Sequence, residues 1–443
     1  MGSLRILQTQ RDVDRAALVD LIERLREGGL VAADEGGDLE VSAIVADILG
    51  QVRSGGDAKV AELTRRLDRC DVSADTLHVP SEALERAHRT ADQAFLALVR
   101  RAADNIRCYQ EHIRLRDPAP LQRDGRLLGV RYTALDRVGV YVPGGKALYP
   151  STVLMTVVPA QVAGVRQIVM ASPPTGGEIH PLALALAFEL GIREVVQMGG
   201  AVAMAALAYG TESILRVDKI VGPGNAFVAE AKRRLFGQVG IDSIAGPSEV
   251  VIVADDSARA DWVAADLLAQ AEHNPGSAVL ITPSGEFAAA VAAAIETQLS
   301  QLSRADVTRT ALERYSAVVV VADLQEACRW ANEFAAEHLQ IMTRDDEGCA
   351  RAIRHAGAMF IGPHTPVPLG DYFAGPSHVL PTSGTARFFG PLSCNDFLKA
   401  TSVVQYDATA LRADAADVVD FATREGLTAH AAAVQRRIGG KSG

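Results

Sequence analysis

Four short segments put ligating or titrating side chains at the ends of predicted elements: LLAQAEHNPGS (267–277), NEFAAEHL (332–339), GDYFAGPSH (370–378) and EGLTAH (425–430). In the first, an apolar helix closes on Gln270, Glu272 and His273 before Asn274, Pro275 and Gly276 stop it, and Gln270 and His273 share one face. In the others His338 follows Glu337, His378 lies downstream of Asp371, and His430 closes a segment that begins with Glu425. Two chemistries use such a set. Gln270, His273, Asp371 and His430 offer nitrogen and oxygen donors that zinc accepts, although the Gln/His pair equally describes a capped helix end. Glu337 and His338 form a dyad in which the imidazole takes a proton from a hydroxyl and the carboxylate orients a water, although a solvated helix end has the same composition. His78, His88, His112, His180, His355 and His364 lack an acid or amide at ligand spacing, and surface or capping roles suffice for them.

Side chains scattered over this much sequence need a scaffold that gathers them. The 443-residue chain is 48% hydrophobic and 22% charged, enough for a large core and more than one domain. Its formal charge of −10 and the lack of a long Lys/Arg run argue against nucleic acid or an anionic membrane as partner, and favour a small-molecule substrate. No apolar run reaches the roughly 20 residues of a membrane span, and the N-terminus lacks a signal-peptide layout, so a cytoplasmic location is expected. The five cysteines, Cys70, Cys108, Cys328, Cys349 and Cys394, form no CxxC pair and read as reduced, mostly buried thiols.

Residues 12–115 read as helical, with Gly55 and Gly56 marking a turn between two helices. From about residue 137, β-branched apolar runs such as RVGVYVPG, RQIVMASP, EVVQMGG and DKIVGPG alternate with helical ones, and a second such series starts at SEVVIVAD. That alternation predicts α/β architecture: two Rossmann-like parallel domains, a helical N-terminal segment and a small C-terminal tail domain. The reading places a helical segment at 1–36, a first α/β domain at 37–140 and 249–385 with the metal and catalytic residues, a second, NAD-binding one at 141–248, and at 386–443 a tail too small to hold a core alone. Glycine-rich turns at YVPGG, MGGA, VGPGNAF and IAGPSE sit where ligands of doubly wound sheets bind, and GPGN opens directly into a helix. That turn either cradles an anion or serves as a plain tight turn.

Taken together, RVGVYVPGGKALYPSTVLM, KIVGPGNAFVAEAKR, IAGPSEVVIVAD, DLLAQAEH, NEFAAEHL, GDYFAGPSHVLPT, DFLKATSV and EGLTAH resemble the histidinol dehydrogenase family, in the family's order and from about residue 40 to 437. The resemblance implies a zinc-dependent homodimer that oxidises L-histidinol to L-histidine through the aldehyde with two NAD molecules, the last step of histidine biosynthesis. It implies zinc ligands at Gln270, His273, Asp371 and, from the partner's tail, His430; a base and water-activating pair at His338 and Glu337; further substrate contacts at Ser248, His378 and Glu425; and NAD contacts at Tyr141 and Asn225.

The chain departs from the family pattern at four places: Val202 where Gln is usual in GGAQA, Ala336 where Pro is usual, Gln340 where Glu is usual, and Ser377 where Asn is common. Val202 removes a hydrogen bond to NAD, and Gln340 removes a carboxylate that the family is expected to hold near the substrate's amine. Those two changes keep open a relative that oxidises another small alcohol to its acid, for example a sulfonated propanediol. A zinc-dependent hydrolase, with Glu337 activating a metal-bound water, is the more remote alternative.

Overall fold

The computed structural model describes residues 4–27, 38–144, 150–174, 176–244, 246–273 and 276–439. The chain divides into two units, Met1–Ile113 with Leu135–Phe397, and Arg114–Ala134 with Leu398–Gly443.

The first unit holds two parallel sheets. One consists of β1 (Arg5–Gln8), β9 (Ser248–Ala254), β10 (Gly276–Thr282), β11 (Ala317–Val320), β12 (His338–Met342) and β13 (Ala358–Ile361), in the order β1-β11-β10-β9-β12-β13. Its central strands are continuous apolar runs because both faces are covered, β10 and β12 being buried at every position. The other consists of β4 (Arg137–Tyr141), β5 (Gln167–Ser172), β6 (Glu194–Gln197), β7 (Lys219–Val221) and β8 (Gly240–Ile241), in the order β6-β5-β4-β7-β8. Crossover helices Pro150–Ala163 and Gly200–Tyr209 are almost wholly buried, which explains why their sequences show no amphipathic stripe.

Two parallel α/β sheets are as the alternation predicts; the boundaries are not. The segment read as helical at the N-terminus contributes β1, which pairs with β11 from Arg5↔Ala317 to Gln8↔Val320. The helix Asp38–Asp68, assigned by sequence to the first α/β domain, packs its Val45, Val52, Val60 and Leu63 into one core with Ala203, Leu207 and Ile220 of the second sheet's layer. Its backbone breaks at Gly56 (φ 53°), where the glycine pair predicts a turn.

The second unit is also larger than the predicted tail. Residues 121–134 join it as β2 (Leu121–Arg123) and β3 (Arg126–Ala134), and β3 pairs antiparallel with β14 (Leu398–Tyr406) over nine positions. Two helices follow, Ala408–Arg424 and Thr428–Gly439. Arg126 ties strand to helix by donating to Asp414 from Nε at 2.9 Å. Only small side chains of these helices are buried, while Leu121, Val404 and Phe421 are exposed, so the unit covers little of its own apolar surface.

Candidate active site

The predicted base pair sits at the amino edge of the first sheet. Ser248 begins β9, His338 begins β12, Glu337 immediately precedes β12, and His273 lies three residues before the start of β10. Doubly wound sheets bind ligands at the carboxyl edge, and the second sheet keeps that habit for its glycine turns. The first sheet departs from it, Ser248 and His338 both standing at the starts of their strands.

Register then assembles the site. Parallel pairing of β12 with β9 sets His338 opposite Val250, and pairing with β13 sets it opposite Ala358. The N–H groups of Gly357 and Ala358 donate to the carbonyls of Ala336 and Glu337, each at 2.9 Å. A Cβ on Gly357 would lie 2.6 Å from the Glu337 carbonyl oxygen, so only glycine permits this approach.

His338 is 4% exposed, and its Nδ1–H donates to the Glu249 main-chain carbonyl at 3.2 Å. A carbonyl only accepts, so that bond keeps a proton on Nδ1 and makes Nε2 the nitrogen that gains or loses one. Nε2 is buried with no hydrogen-bond partner among the described residues; the nearest carboxylate oxygen, Asp371 Oδ1, is 3.5 Å away. Burial alone would push this imidazole down, but the Glu337 carboxylate, with Oε2 3.5 Å from Nδ1, and Asp371 together raise it to about 9.

A relay of bonds aims Glu337. Gln270 donates from Nε2 to Ser248 Oγ at 2.7 Å, and the Ser248 hydroxyl donates to Glu337 Oε2 at 2.6 Å. With its amide nitrogen engaged in this way, Gln270 has its carbonyl oxygen left as the donor for a metal. His378 donates from Nδ1 to the Asp371 main-chain carbonyl at 3.0 Å and accepts at Nε2 from the Thr152 hydroxyl at 3.3 Å. Burial holds it below the usual imidazole range even though Asp371 pulls upward, and nearby His273 adds to the lowering.

Among the described residues, no three His, Cys, Asp or Glu side chains converge as a metal site. His273 and Asp371 both act electrostatically on His378, and Gln270 reaches Ser248 beside Glu337; with a fourth donor these are nitrogen and oxygen groups of the kind zinc accepts. Glu425 and His430 belong to the second unit, the former capping the helix Ala408–Arg424 and the latter in the first turn of Thr428–Gly439. Asn274 and Pro275, which the sequence reading uses to stop the Ala260–Ala271 helix, lie outside the described residues, as do Gly145 of the YVPGG turn and Ala245 of IAGPSE.

The NAD candidates occupy the second sheet's carboxyl edge. Tyr141 ends β4, is 4% exposed, and its hydroxyl accepts from Gly200 N–H at 3.1 Å. Asn225 caps the Ala226–Leu235 helix, its Oδ1 accepting from Val228 N–H at 3.2 Å. Between them the GPGN turn is pinned by Lys232, which donates to Gly222 O at 2.6 Å and to Asp242 Oδ1 at 2.5 Å, while Asp242 Oδ2 accepts from Gly222 N–H at 2.7 Å. Val202 is buried in the core of the Gly200–Tyr209 helix.

Gln340 does not face a substrate. It is 0% exposed and donates to Asp266 Oδ2 at 2.8 Å, so the change from the family's carboxylate falls beneath the site. Ser377 likewise turns inward and donates to Met155 O at 3.0 Å. Sequence reasoning passed over Glu249, Thr152 and Asp266. Glu249 lies inside a quoted motif, IAGPSEV, and its buried position beside Ser248 was the available signal. His180 caps a helix as expected, accepting from Leu182 N–H at 3.1 Å, whereas His88 does have an acid partner, Glu189, at 2.6 Å. All five cysteines are free; four are buried and Cys108 is exposed.

Comparison with known proteins follows the same lines. A family model described as histidinol dehydrogenase matches residues 33–438. The chain is 50% identical to a histidinol dehydrogenase of Geobacillus kaustophilus, covering 94% of this chain and 99% of that protein. It is 48% identical to one of Rhodopirellula baltica, over 95% and 94%. Its fold is similar to the crystal structure of histidinol dehydrogenase from Elizabethkingia anophelis, with a TM-score of 0.91, 29% identity, and coverage of 99% and 98%.

Proposed function

The chain belongs to the histidinol dehydrogenase family, and we propose from that premise that it oxidises L-histidinol to L-histidine, by way of the aldehyde, with two molecules of NAD and one zinc ion per subunit. The observation that carries this reading is the buried, unpartnered Nε2 of His338, with its tautomer set by the Glu249 carbonyl and Glu337 beside it.

Gln270, His273 and Asp371, with His430 of the partner subunit, would hold the zinc, and the ion when bound anchors a substrate through its imidazole and amine nitrogens. The residues of the chain do the rest. His338 Nε2 accepts the proton of the alcohol while hydride leaves the same carbon for NAD, which is consumed as a second substrate. Glu337, aimed by the Ser248 hydroxyl, then takes a proton from water as its oxygen adds to the aldehyde carbon. His338 returns its first proton to the aldehyde oxygen as the hydrate forms. The hydrate carries a hydroxyl and a C–H on one carbon, so His338 then takes the proton of that hydroxyl while a second hydride leaves for the second NAD, and Glu337 passes its proton to solvent. His378, Glu425 and Ser248 are the further substrate contacts, and Tyr141 and Asn225 the NAD contacts.

No cysteine enters this scheme: Cys394 is buried and its thiol donates to the Gln110 carbonyl at 3.1 Å. Gln340 gives no reason to prefer another alcohol, because it is wholly buried against Asp266. No helix among the described residues is long and apolar enough to cross a membrane. The test is His338→Asn in the zinc-loaded protein. NADH release from histidinol should fall by at least about 10²-fold while bound zinc, measured by elemental analysis, is unchanged; undiminished turnover would contradict the assignment.

A further inference from the structure

Glu249 touches the base pair through its main chain and its side chain alike. Its N–H donates to Glu337 Oε2 at 3.0 Å, and its carbonyl accepts from His338 Nδ1–H at 3.2 Å. Its own carboxyl oxygen Oε1 accepts from Glu337 N–H at 3.3 Å and from Ser383 N–H at 3.1 Å. The side chain is therefore the brace between the entry to β12 and the loop that carries Ser383. An apolar residue here would leave two buried main-chain donors without partners.

The same packing places two carboxyl groups side by side in the interior, Glu249 being 4% exposed and Glu337 7%. Among the described residues no Lys or Arg pairs with either, and the only ion-pair neighbour of Glu337 is His338. Adjacent buried carboxyls cannot both be charged at low cost, and of the two only Glu337 has the His338 imidazole against it, so the proton is kept on Glu249. Glu337 Oε2 meets a hydroxyl donor at 2.6 Å and a main-chain donor at 3.0 Å, and stands 3.5 Å from the imidazole.

We propose that Glu249 is a positioning residue for the Glu337–His338 pair: as a neutral acid it clamps the main chain on either side of the site. This rests on Glu337 and His338 being the reacting pair. Burial, with the Glu337 charge next to it, independently pushes the Glu249 carboxyl up to about 8.

Glu249→Ala and Glu249→Gln, assayed zinc-loaded with histidinol and NAD across pH, test the proposal beside His338→Asn. Glu249→Ala should lower kcat by about 10²-fold with KM changed less than about threefold, because the pair is mispositioned while substrate still binds. Glu249→Gln keeps the Oε1 acceptor without charge and should restore kcat to within about tenfold of the parent, with the acid limb of the profile moved by less than about 0.3 pH unit. If Glu249→Ala does not fold, as a melting curve would show, the Gln variant decides alone through its kcat and acid limb. Wild-type kcat in Glu249→Ala, no restoration in Glu249→Gln, or an acid limb lowered by about one unit or more in Glu249→Gln would each overturn it, the last because it reveals a charged Glu249. Full activity in His338→Asn would instead overturn the underlying assignment of the base.

Discussion

At the scale of single residues, His338 shows how position makes chemistry from an ordinary side chain. Its folded value of about 9 exceeds the ordinary 6.5, so proton binding favours the folded state. The stabilisation is fully present below about pH 6.5 and is lost as pH rises through about 9. Metal-free protein should therefore lose melting temperature between those pH values, and His338→Asn should lose less; an identical fall in both would contradict the coupling. Zinc held by Asp371, as proposed, would withdraw one of the two charges that raise the imidazole, so the loaded enzyme should hold a neutral base at lower pH than the metal-free one. The residue types of the site were legible in sequence, since histidine, glutamate and glutamine at element ends are visible there. Glu249, Thr152 and Asp266 were not, because what they do depends on burial and on main-chain contacts with segments far along the chain.

At the scale of elements, alternating apolar runs announced two parallel sheets, but pairing over long distances stayed hidden. β1 is four residues long and meets β11 more than 300 residues later, and β3 meets β14 across most of the chain. Neither partner has a local signature, since short strands borrow their hydrogen bonds from the sheet. The GPGN turn was legible as glycine-rich, but not the buried pair beneath it. Gly222 sits at φ 119°, and a Cβ there would collide with the Tyr141 carbonyl oxygen. Lys232 and Asp242, with side chains 2% and 4% exposed, hold that backbone in place. Lys232→Met should leave a buried carboxylate uncompensated and cost about 3–5 kcal/mol by urea unfolding. The same variant should raise the KM for NAD more than that for histidinol if the turn serves the cofactor; equal changes would assign the turn a structural role alone.

At the scale of the whole molecule, the first unit carries the proposed base pair and three of the proposed zinc ligands, and the second carries His430 and Glu425 on a thinly packed scaffold with exposed apolar side chains. The proposal that His430 completes the partner's site predicts complementation. His273→Ala and His430→Ala should each be inactive as homodimers, yet subunits mixed at equal amounts and allowed to exchange should regain about a quarter of wild-type activity, since half the dimers then hold one intact site. No recovery despite exchange would place His430 in the site of its own chain. In the proposed reaction one set of residues carries out two successive oxidations, and the stoichiometry of NADH formed per histidinol consumed, with the product identified, tests that most directly. Two NADH per histidinol with histidine as the product is the predicted result; one NADH with aldehyde released, or none at all, would contradict it.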